Sequence, residues 1–380
     1  MTLVYLVAGE QSGDVLAARL MVALRAARPE IDFAGVGGPR MQAEGMQSLF
    51  PMRDLAVMGL AEVLPRLGLL RRRMRETVAD IEARRPSVVV TVDSPSFGLR
   101  LLQRVPRYPR VQYVAPQVWG WREGRVRGFP GRWDKLLCLL PFEPAFFARH
   151  GLAASFVGHP VLESGADRGD AASFRARHGL ADAPLLLMMP GSRHSEIARL
   201  LPVYRAALAL LRARLPELAI AMPLSANVAE AVRAAVATWA QPPILLTGLA
   251  EKHDAYAAAN AAITKSGTST LELALAGVPM AVAYRVHPLT ATLVRRMITL
   301  RHVAMVNVLA GREIVPELLQ ENCTPQRLAA AAATLIADPA AGVAQRLAFR
   351  GIVASLAPAG RLPSEAAAAE ILALLDGASG

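Results

Sequence analysis

Short apolar runs alternate with helical patterns along almost the whole chain, and this alternation constrains the fold more than any other feature. Such alternation is typical of parallel sheets covered by helices on both faces. The predicted strands are 4–8, 32–37, 87–92, 111–115 and 135–140 in the first half, and 184–189, 219–224, 244–248, 261–264 and 279–284 in the second. The predicted helices are 14–27, 71–84, 195–214, 227–239, 253–259, 268–276 and 363–375.

Two series of strands predict two Rossmann-like domains, an α/β fold whose parallel sheets face each other across a cleft. The polar, glycine-bearing segment 156–170 predicts the linker, so the domains are expected at 1–160 and 161–345. Residues 346–380 are expected to form a helical tail that packs back toward the first domain. Because ligands of open parallel sheets bind beyond the carboxyl ends of the strands, functional residues are expected in the loops that follow the strands.

The composition restricts the class of protein. Of the 380 residues, 53% are hydrophobic, and the two cysteines, Cys138 and Cys323, fit neither a disulfide framework nor a zinc spacing. A reducing compartment is therefore expected. The beginning of the sequence lacks the basic region and cleavage site of a signal peptide, so none is expected. No uncharged apolar run reaches the ~18 residues that cross a membrane.

The net charge of +11 favours an anionic ligand or surface as a partner. Nucleic acid is not the expected one, because the sequence contains no zinc-finger spacing, no aromatic RNA-binding strand and no basic heptad region.

Two loops of the first half place polar residues directly after strands. In "AGEQSGD" (8–14) the glycine spacing does not match G-x-G-x-x-G, so a dinucleotide site is not favoured. This loop is either a tight turn or a ligand-facing loop that presents Glu10, Ser12 and Gly13. Asp93 follows the third strand, and it is either a general base that points into the cleft or a residue that caps the next helix.

The segment "VWGWREGRVRGF" (118–129) places Trp119, Trp121 and Arg122 beside further arginines. Two interpretations remain open. The loop folds back and packs on its own domain, or it forms an amphipathic wall for a lipid or a sugar phosphate.

Two predicted helix starts in the second half are candidates for binding a diphosphate. The N–H groups at a helix N-terminus favour an anion, and arginine grips phosphate with two hydrogen bonds. Glu272, about one turn into its helix, is placed to hold the hydroxyls of a ribose. Simple capping turns are the alternative for both motifs. The residues concerned are Gly191, Ser192 and Arg193 after one strand, and Ser266, Gly267 and Thr268 after another.

No metal or other cofactor is expected. The seven histidines are scattered, with no H-x-x-x-H pair, and the sequence lacks a D-x-D pair of the kind that holds a metal on a nucleotide diphosphate. The charge of a leaving diphosphate must then be neutralised by Arg193 and by helix dipoles, with Lys265 as a further candidate.

A basic amphipathic helix is predicted in segment 59–78, with Pro65 as a break or a helix start inside it. Apolar residues recur there every three or four positions, and arginines crowd the same stretch. Such a helix either packs on the core with solvated arginines or docks on an anionic membrane surface. The residues expected at the membrane are Leu64, Leu67, Leu69, Leu70, Arg71, Arg72 and Arg73.

Ten motifs, taken in order, resemble the lipid-A-disaccharide synthase family, which comprises inverting glycosyltransferases of the GT-B architecture. The resemblance covers about residues 3 to 340, and the motifs read "VAGEQSGD", "GVGGPRMQAEGM", "LAVMGLAEVLPRL", "VDSPSF", "YVAPQVWGWR", "LLPFEPAFF", "FVGHPV", "MPGSRHSEI", "KSGTSTLE" and "NVLAGREIVPELLQ". The resemblance implies transfer from UDP-2,3-diacylglucosamine to 2,3-diacylglucosamine 1-phosphate. This reaction forms a β-1,6 linkage and releases UDP without a metal. The resemblance also implies a cytoplasmic enzyme of lipid A biosynthesis, peripheral on the inner face of the inner membrane.

By the same resemblance, Asp93 is the catalytic base, and Arg193 and Asn307 serve the nucleotide-sugar site. Ser266–Thr268 and Glu272 would hold UDP in the second domain. The first domain would receive the acceptor and contact the membrane, and the candidates that line its cleft are Glu10, Ser12, Gly13, Trp119 and Arg122.

The chain departs from the family pattern at a few positions. Ser96 and Gly98 replace an aspartate and an asparagine, and Lys265 replaces a small apolar residue. Val306 and Val308 replace a proline and a leucine. These departures concern the acceptor loop more than the reaction.

Three other classes remain open, namely a nucleotide-sugar 2-epimerase of the same architecture, a dinucleotide oxidoreductase and a non-catalytic lipid-binding protein. The sequence also leaves open the acyl-chain length, the order of substrate binding and whether the chain forms a homo-oligomer.

Overall fold

The computed structural model describes residues 2–55, 60–121, 123–287 and 300–377, except for the side chains of 60–65. These residues belong to two compact units. The first unit comprises Met1–Pro160 together with Leu356–Gly380, and the second comprises Val161–Ser355.

A parallel six-stranded sheet forms the centre of the first unit, in the order β2-β1-β3-β4-β5-β6. Its strands are β1 Thr2–Ala8, β2 Ile31–Val36, β3 Val88–Val92, β4 Arg110–Tyr113, β5 Lys135–Cys138 and β6 Ala154–Phe156. Its helices are α1 Gln11–Ala27, α2 Pro39–Ala43, α3 Leu60–Arg84, α4 Pro95–Leu102 and α5 Glu143–Ala148, with 3-10 turns at Met52–Asp54 and Glu123–Gly128.

Alternate residues of each strand supply two separate cores, because successive side chains point to opposite faces of a sheet. Val4 and Leu6 of β1 pack in a cluster with α1, whereas Tyr5 and Val7 pack in a second cluster with residues of α3, α4 and α5. Both faces of β1 are therefore buried. This explains why the strand reads as a continuous apolar run and not as an alternating pattern.

The second unit repeats this plan around the parallel order β12-β11-β10-β7-β8-β9. The strands are β7 Leu185–Met189, β8 Ala219–Pro223, β9 Ile244–Leu246, β10 Ala261–Thr264, β11 Met280–Tyr284 and β12 Glu317–Leu319. The helices are α6 Ala171–Arg177, α7 His194–Arg212, α8 Ala226–Val236, α9 Leu249–Ala258, α10 Ser269–Leu275, α11 Met305–Ala310, α12 Pro325–Ala337 and α13 Pro339–Ser355. Further 3-10 turns lie at Pro160–Glu163 and Gln320–Asn322.

The last helix, α14 Pro363–Gly377, belongs to the first unit. Its Ala367 and Ile371 lie in the same apolar cluster as α1, and Asp376 forms an ion pair of 2.6 Å with Arg28. The tail was expected to begin at 346. In the structure residues 346–355 are the end of α13, so the second unit extends to Ser355.

The predicted fold class is confirmed, since all ten predicted strands are present within two residues at either end. The sequence did not indicate β6 and β12, because each has only three residues and each is half-exposed at the edge of its sheet. The expected break at Pro65 is wrong, because α3 runs from Leu60 to Arg84. Pro65 lies only five residues from the helix start, where a missing N–H removes a single hydrogen bond to the first turn.

Among the described residues, no single helix has the length and apolarity that a membrane crossing requires, although α12 and α13 have them together across a bend of 88°.

Strand pairing determines which loops meet at the carboxyl edge of each sheet. In the first unit β1 and β3 pair Ala8 with Val92, and in the second β7 and β10 pair Met189 with Thr264. The loop at 9–13 is therefore adjacent to Asp93, and the turn at 190–193 is adjacent to Lys265 and the residues that follow it.

Candidate active site

Asp93 lies in a left-handed turn directly after β3. Asp93 and Ser94 have φ values of 56° and 46°, in a region that residues other than glycine rarely adopt. One carboxylate oxygen accepts from the backbone N–H of Ser94 at 2.9 Å, and the other accepts from the Ser12 hydroxyl at 2.9 Å. The half-buried carboxylate thus has a fixed direction. The structure brings together Ser12 and Asp93, two of the residues predicted for the site.

The glycines of the "AGEQSGD" loop make room for this turn. A Cβ atom at Gly9 would lie 2.5 Å from the Ser94 Oγ and 2.7 Å from its Cβ. A Cβ atom at Gly13 would lie 3.0 Å from the Val92 carbonyl oxygen and 3.6 Å from the Asp93 Cβ. Both glycines are thus required by the close approach of the two loops. This favours a loop built around Asp93 over an isolated tight turn.

The remaining acidic residues of the loop have different surroundings. Asp14 is buried, and its carboxylate accepts from the backbone N–H groups of Gly38, Arg40 and Met41 at 2.8–3.1 Å. It therefore supports the start of α2. Glu10 is half-buried and takes the N-cap position of α1.

Trp119 packs on its own unit. The indole N–H donates to the buried carboxylate of Glu143 at 3.0 Å, and the ring meets Phe142 edge-on with centroids 4.8 Å apart. Burial raises the pKa of Glu143 to about 7, although N–H groups of Leu140, Trp119 and Leu139 act to lower it. For Trp119 the structure favours the interpretation in which the loop packs on its own domain over the one in which it forms a wall of the cleft. Trp121 is 42% exposed, and Arg122 lies outside the described residues.

A glutamate that the sequence analysis missed organises the first predicted cradle. Glu196, in the first turn of α7, accepts from the backbone N–H groups of Ser192 and Arg193 at 2.9 and 3.3 Å. These are the N–H groups expected to face a phosphate, and the anion they hold in the structure is a carboxylate of the chain itself. Position 191 (φ 118°) requires a glycine, because a Cβ atom there would lie 2.4 Å from a carboxylate oxygen of Glu196.

Glu196 also links the two cradles. Its other oxygen accepts from the Lys265 ammonium at 2.9 Å and lies 3.4 Å from the Arg193 guanidinium. Burial acts to raise the pKa of Glu196, but the hydrogen bonds from Lys265 and Ser192 outweigh it and hold the pKa below its usual value. Lys265 is thus ion-paired. The Arg193 side chain remains 57% exposed and faces solvent.

The second cradle follows β10 through Gly267, whose φ is 146°. The Ser266 hydroxyl donates to the Val303 carbonyl at 2.6 Å, and Thr268 is exposed at the start of α10. Glu272, one turn further, accepts from the Lys252 ammonium at 3.0 Å and from the Tyr256 hydroxyl at 3.1 Å through a single oxygen. Glu272 is therefore held in place by α9.

Asn307 is fully buried, and its amide is saturated with hydrogen bonds. The amide nitrogen donates to the Val315 carbonyl and to Glu317 at 2.9 and 2.8 Å, while the oxygen accepts from the N–H groups of Ile314 and Val315 at 2.7 and 3.0 Å. An asparagine amide offers two donors and two acceptor sites, so no hydrogen bond is left for a nucleotide. In the structure Asn307 thus holds a loop, and its role at the nucleotide-sugar site stays a prediction.

Sequence reasoning missed Glu196 and Glu317 for related reasons. Glu317 accepts from the N–H groups of Val303 and Ala304 at 2.9–3.1 Å, just before α11. Glu196 stands three residues after the N-cap, the position of the glutamate in a capping box, and that spacing could have identified it. Glu317 is distant in sequence from some of its partners, and no local pattern marks it.

The basic face of α3 is narrower than predicted. Arg73 forms ion pairs with Asp54 and Glu76, both at 2.6 Å, and its guanidinium lies 4.6 Å from the centre of the Phe50 ring. Leu70 packs against the core. Both residues therefore pack within their own unit, and their contact with a membrane stays a prediction. Leu64 lies outside the described side chains. The exposed or half-exposed residues of the predicted surface are Leu67, Leu69, Arg71 and Arg72, with Arg66 and Arg75 beside them.

A family model for lipid-A-disaccharide synthetase matches residues 4–371. The chain belongs to the lipid-A-disaccharide synthetase family. A lipid-A-disaccharide synthase of Granulibacter bethesdensis is 58% identical to it over an alignment of 387 positions, gaps included, that covers 98% of each chain. The predicted family is thus confirmed.

Solved structures share the fold of this lipid-A-disaccharide synthetase family member at low identity. The glycosyltransferase of kitacinnamycin has a TM-score of 0.63 at 18% identity, over 98% of this chain and 99% of that one. A UDP-GlcNAc 2-epimerase from Neisseria meningitidis bound to UDP-GlcNAc has a TM-score of 0.62 at 11% identity, over 98% of each chain. These likenesses concern the fold alone, and they agree with the GT-B class.

Proposed function

We propose that this chain is the glycosyltransferase that joins two acylated glucosamines in lipid A biosynthesis. The donor is UDP-2,3-diacylglucosamine, the acceptor is 2,3-diacylglucosamine 1-phosphate, and the products are a β-1,6-linked disaccharide 1-phosphate and UDP. Membership of the lipid-A-disaccharide synthetase family carries the proposal. The fixed carboxylate of Asp93 at the carboxyl edge of the first sheet supplies the group that the reaction needs.

Asp93 acts as the general base. The carboxylate takes the proton of the acceptor 6-hydroxyl while that oxygen attacks the anomeric carbon of the donor. The bond from this carbon to the diphosphate oxygen breaks on the opposite face, so the anomeric centre is inverted and UDP carries away the electron pair. One carboxylate suffices for this displacement, whereas glycosidases use two. The Ser12 hydroxyl, 2.9 Å from Asp93, directs the basic oxygen.

The second unit holds the UDP moiety. Glu272 accepts the ribose hydroxyls, because its carboxylate is half-exposed and only one of its oxygens has hydrogen bonds to Lys252 and Tyr256. Arg193 neutralises the diphosphate, since its side chain is 57% exposed beside the cradle. Gly191, Ser192, Ser266, Gly267 and Thr268 shape the two turns. The Neisseria meningitidis epimerase with the same fold binds UDP-GlcNAc, which supports a UDP-sugar as the donor.

The acylated substrates are met at a membrane surface by α3. Leu67 and Leu69 provide half-exposed apolar area, and Arg71 provides exposed positive charge beside Arg72, which is exposed but ion-paired with Glu76 at 2.7 Å. A basic amphipathic helix lies in the interface with its apolar side among the acyl chains, and each arginine near an anionic leaflet contributes about 1 kcal/mol. On this proposal the enzyme works at the inner face of the inner membrane, where neither substrate has to be extracted fully.

The test uses the purified chain with radiolabelled UDP-2,3-diacylglucosamine, with and without acceptor. Acceptor-dependent disaccharide and UDP support the proposal, whereas an isomer of the donor formed without acceptor would identify a 2-epimerase. Asp93→Asn keeps one oxygen that can accept from the Ser94 N–H but cannot accept the proton, so it should reduce turnover by about 100- to 10,000-fold. Asp32→Asn on the exposed side of β2 is the matched control and should retain the rate. A normal rate in folded Asp93→Asn would exclude Asp93 as the base.

A further inference from the structure

Three residues at and beside the proposed base have left-handed backbone conformations. Asp93 and Ser94 after β3 have positive φ, and so does Val114 after the neighbouring strand β4, with a φ of 77°. A β-branched residue such as valine is strongly disfavoured there. Backbone of this kind persists only where its surroundings over-determine it. The structure must therefore contain groups that hold these residues.

Gln112 is one such group. It belongs to β4, is fully buried and lies between the ends of the two strands. Its amide nitrogen points at three carbonyl oxygens, those of Val114 at 3.1 Å, Tyr113 at 3.3 Å and Asp93 at 3.5 Å. Two of these carbonyls belong to residues with positive φ. A single buried amide thus joins the backbone of the base to the backbone of the neighbouring loop.

Thr91 fixes the orientation of that amide. The threonine is fully buried in β3, and its hydroxyl donates to the Gln112 carbonyl oxygen at 2.7 Å. Because an amide has its oxygen and nitrogen on opposite sides, a donor at the oxygen directs the nitrogen toward the Asp93 and Val114 carbonyls.

Gly98 provides the space for this pair. A Cβ atom at position 98 would lie 3.0 Å from the Thr91 Cβ, 3.1 Å from its hydroxyl and 3.4 Å from the Gln112 carbonyl oxygen. Any larger side chain on α4 would push Thr91 away from Gln112. Gly98, where the chain departs from the family pattern, therefore leaves the space in which Thr91 can bond to Gln112.

We propose that Thr91 and Gln112, seated against Gly98, form a positioning pair that fixes the main chain of Asp93 and so aims its carboxylate at the acceptor hydroxyl. Neither residue touches substrate. The inference rests on the proposed function, because it gives the pair a role in the reaction of Asp93. If the pair served packing alone, its effect on the rate would follow its effect on stability.

Two substitutions of Thr91 separate the two roles. Thr91→Val keeps the shape and the buried methyl group but lacks the hydroxyl. Thr91→Ser keeps the hydroxyl but loses a methyl group from the core. Thr91→Val leaves the buried Gln112 oxygen without its donor and Thr91→Ser removes a buried methyl group, so both variants are expected to lose melting temperature to a similar extent. Turnover is expected to be higher in Thr91→Ser than in Thr91→Val.

The measurement is kcat and KM for donor and acceptor, together with the melting temperature of each variant. Thr91→Val should lower kcat by about 10- to 100-fold with donor KM nearly unchanged, because small misplacements of a reacting group reduce rates on this scale. Thr91→Ser should remain within about threefold of the parent, since its hydroxyl still aligns the amide. Gln112→Leu, which removes the amide, should resemble Thr91→Val.

Two results would overturn the positioning role: a parental kcat in Thr91→Val, or equal kcat values in Thr91→Val and Thr91→Ser. Asp93→Asn in the same assay makes this failure distinct from failure of the proposed function. If the parent forms no disaccharide, or if Asp93→Asn retains the rate, the proposed reaction itself is wrong. If Asp93→Asn is inactive while Thr91→Val is fully active, only the positioning pair is wrong.

Discussion

Gly9→Ala should disable the enzyme without unfolding it, because it pushes on the turn that carries the base. The new methyl carbon would lie 2.5 Å from the Ser94 Oγ and 2.7 Å from its Cβ. Non-bonded carbon contacts are most favourable near ~3.5–4.0 Å, so Ser94 has to move by about 1 Å. Ser94 is buried directly after Asp93, and its N–H is bonded to the Asp93 carboxylate. The carboxylate must therefore move with it.

A displacement of this size is small for the fold but large for the reaction. Misplacement of a reacting group by about 1 Å reduces rates by about 100-fold, which corresponds to ~2.7 kcal/mol of lost transition-state stabilisation. We expect kcat to fall by about that factor in Gly9→Ala. The affinity for UDP should stay unchanged, because the residues proposed to hold UDP belong to the second unit.

Two controls make the expectation specific. Gly351→Ala adds a methyl group in open space on α13, where alanine in place of glycine should stabilise the protein by about 0.5–1 kcal/mol and leave the rate unchanged. The double variant Gly9→Ala/Ser94→Gly removes the obstructing atoms at a residue whose φ of 46° suits glycine, so it should recover much of the lost rate. Parental kcat in Gly9→Ala, or no recovery in a folded double variant, would refute the reasoning.

Three further predictions concern other parts of the molecule. Arg193→Ala and Glu272→Ala should each weaken UDP binding in calorimetry, and only the Arg193 effect should shrink at high salt, because it removes charge from an exposed site. Arg71→Gln combined with Arg75→Gln should reduce co-sedimentation with anionic vesicles, since both arginines are exposed on α3. Burial raises the pKa of Glu143 to about 7, so the folded protein retains a proton that the unfolded chain releases near 4.5. The free energy of unfolding should therefore contain a component that falls from about pH 4.5 to pH 7, and Glu143→Gln should remove it.

Each of these has its own control and its own contrary result. Parental UDP affinity in both cradle variants would contradict the assignment of the donor site. Arg205→Gln combined with Arg350→Gln removes the same charge from exposed helix positions of the second unit, and equal vesicle binding by the two double variants would place the membrane contact elsewhere. An unchanged pH dependence in Glu143→Gln would show that this carboxyl is ionised in the folded protein throughout the range.

The sequence was sufficient for the sheets because their information is local. A strand such as β3, which is buried on both faces, appears in the sequence as a run of apolar residues. The residue that follows such a run must lie at the carboxyl end of the strand. Asp93 could therefore be placed at the carboxyl edge before any contact was known. Its pairing with Ser12, 81 residues away, follows from the register of β1 and β3, which the alternation of strands and helices does not specify.

The functions of individual polar side chains were less predictable, because hydrogen-bond partners distant in sequence decide them. Asn307 has the residue type of a ligand contact, but its amide is consumed by residues 314–317. Trp119 is a residue type that often lines the binding site of a sugar or a lipid, but its indole N–H donates to Glu143. In both positions a buried partner competes with a ligand for the same group. The identity of one residue contains no information about that competition.

The same competition bears on how the second unit binds a diphosphate. A helix start after a glycine turn attracts an anion, and Glu196 already satisfies the N–H groups of Ser192 and Arg193. Its negative charge lies between the positive charges of Arg193 and Lys265, so the three side chains together remain net positive. If the second unit binds UDP as proposed, a diphosphate at this cluster would replace the Glu196 carboxylate as the partner of Lys265. The affinity for UDP would then depend on the difference between phosphate and carboxylate as partners for the same cations, and not on the full attraction of an empty helix terminus. On this proposal the exposed Arg193 is expected to contribute more to UDP affinity than the turn that precedes it.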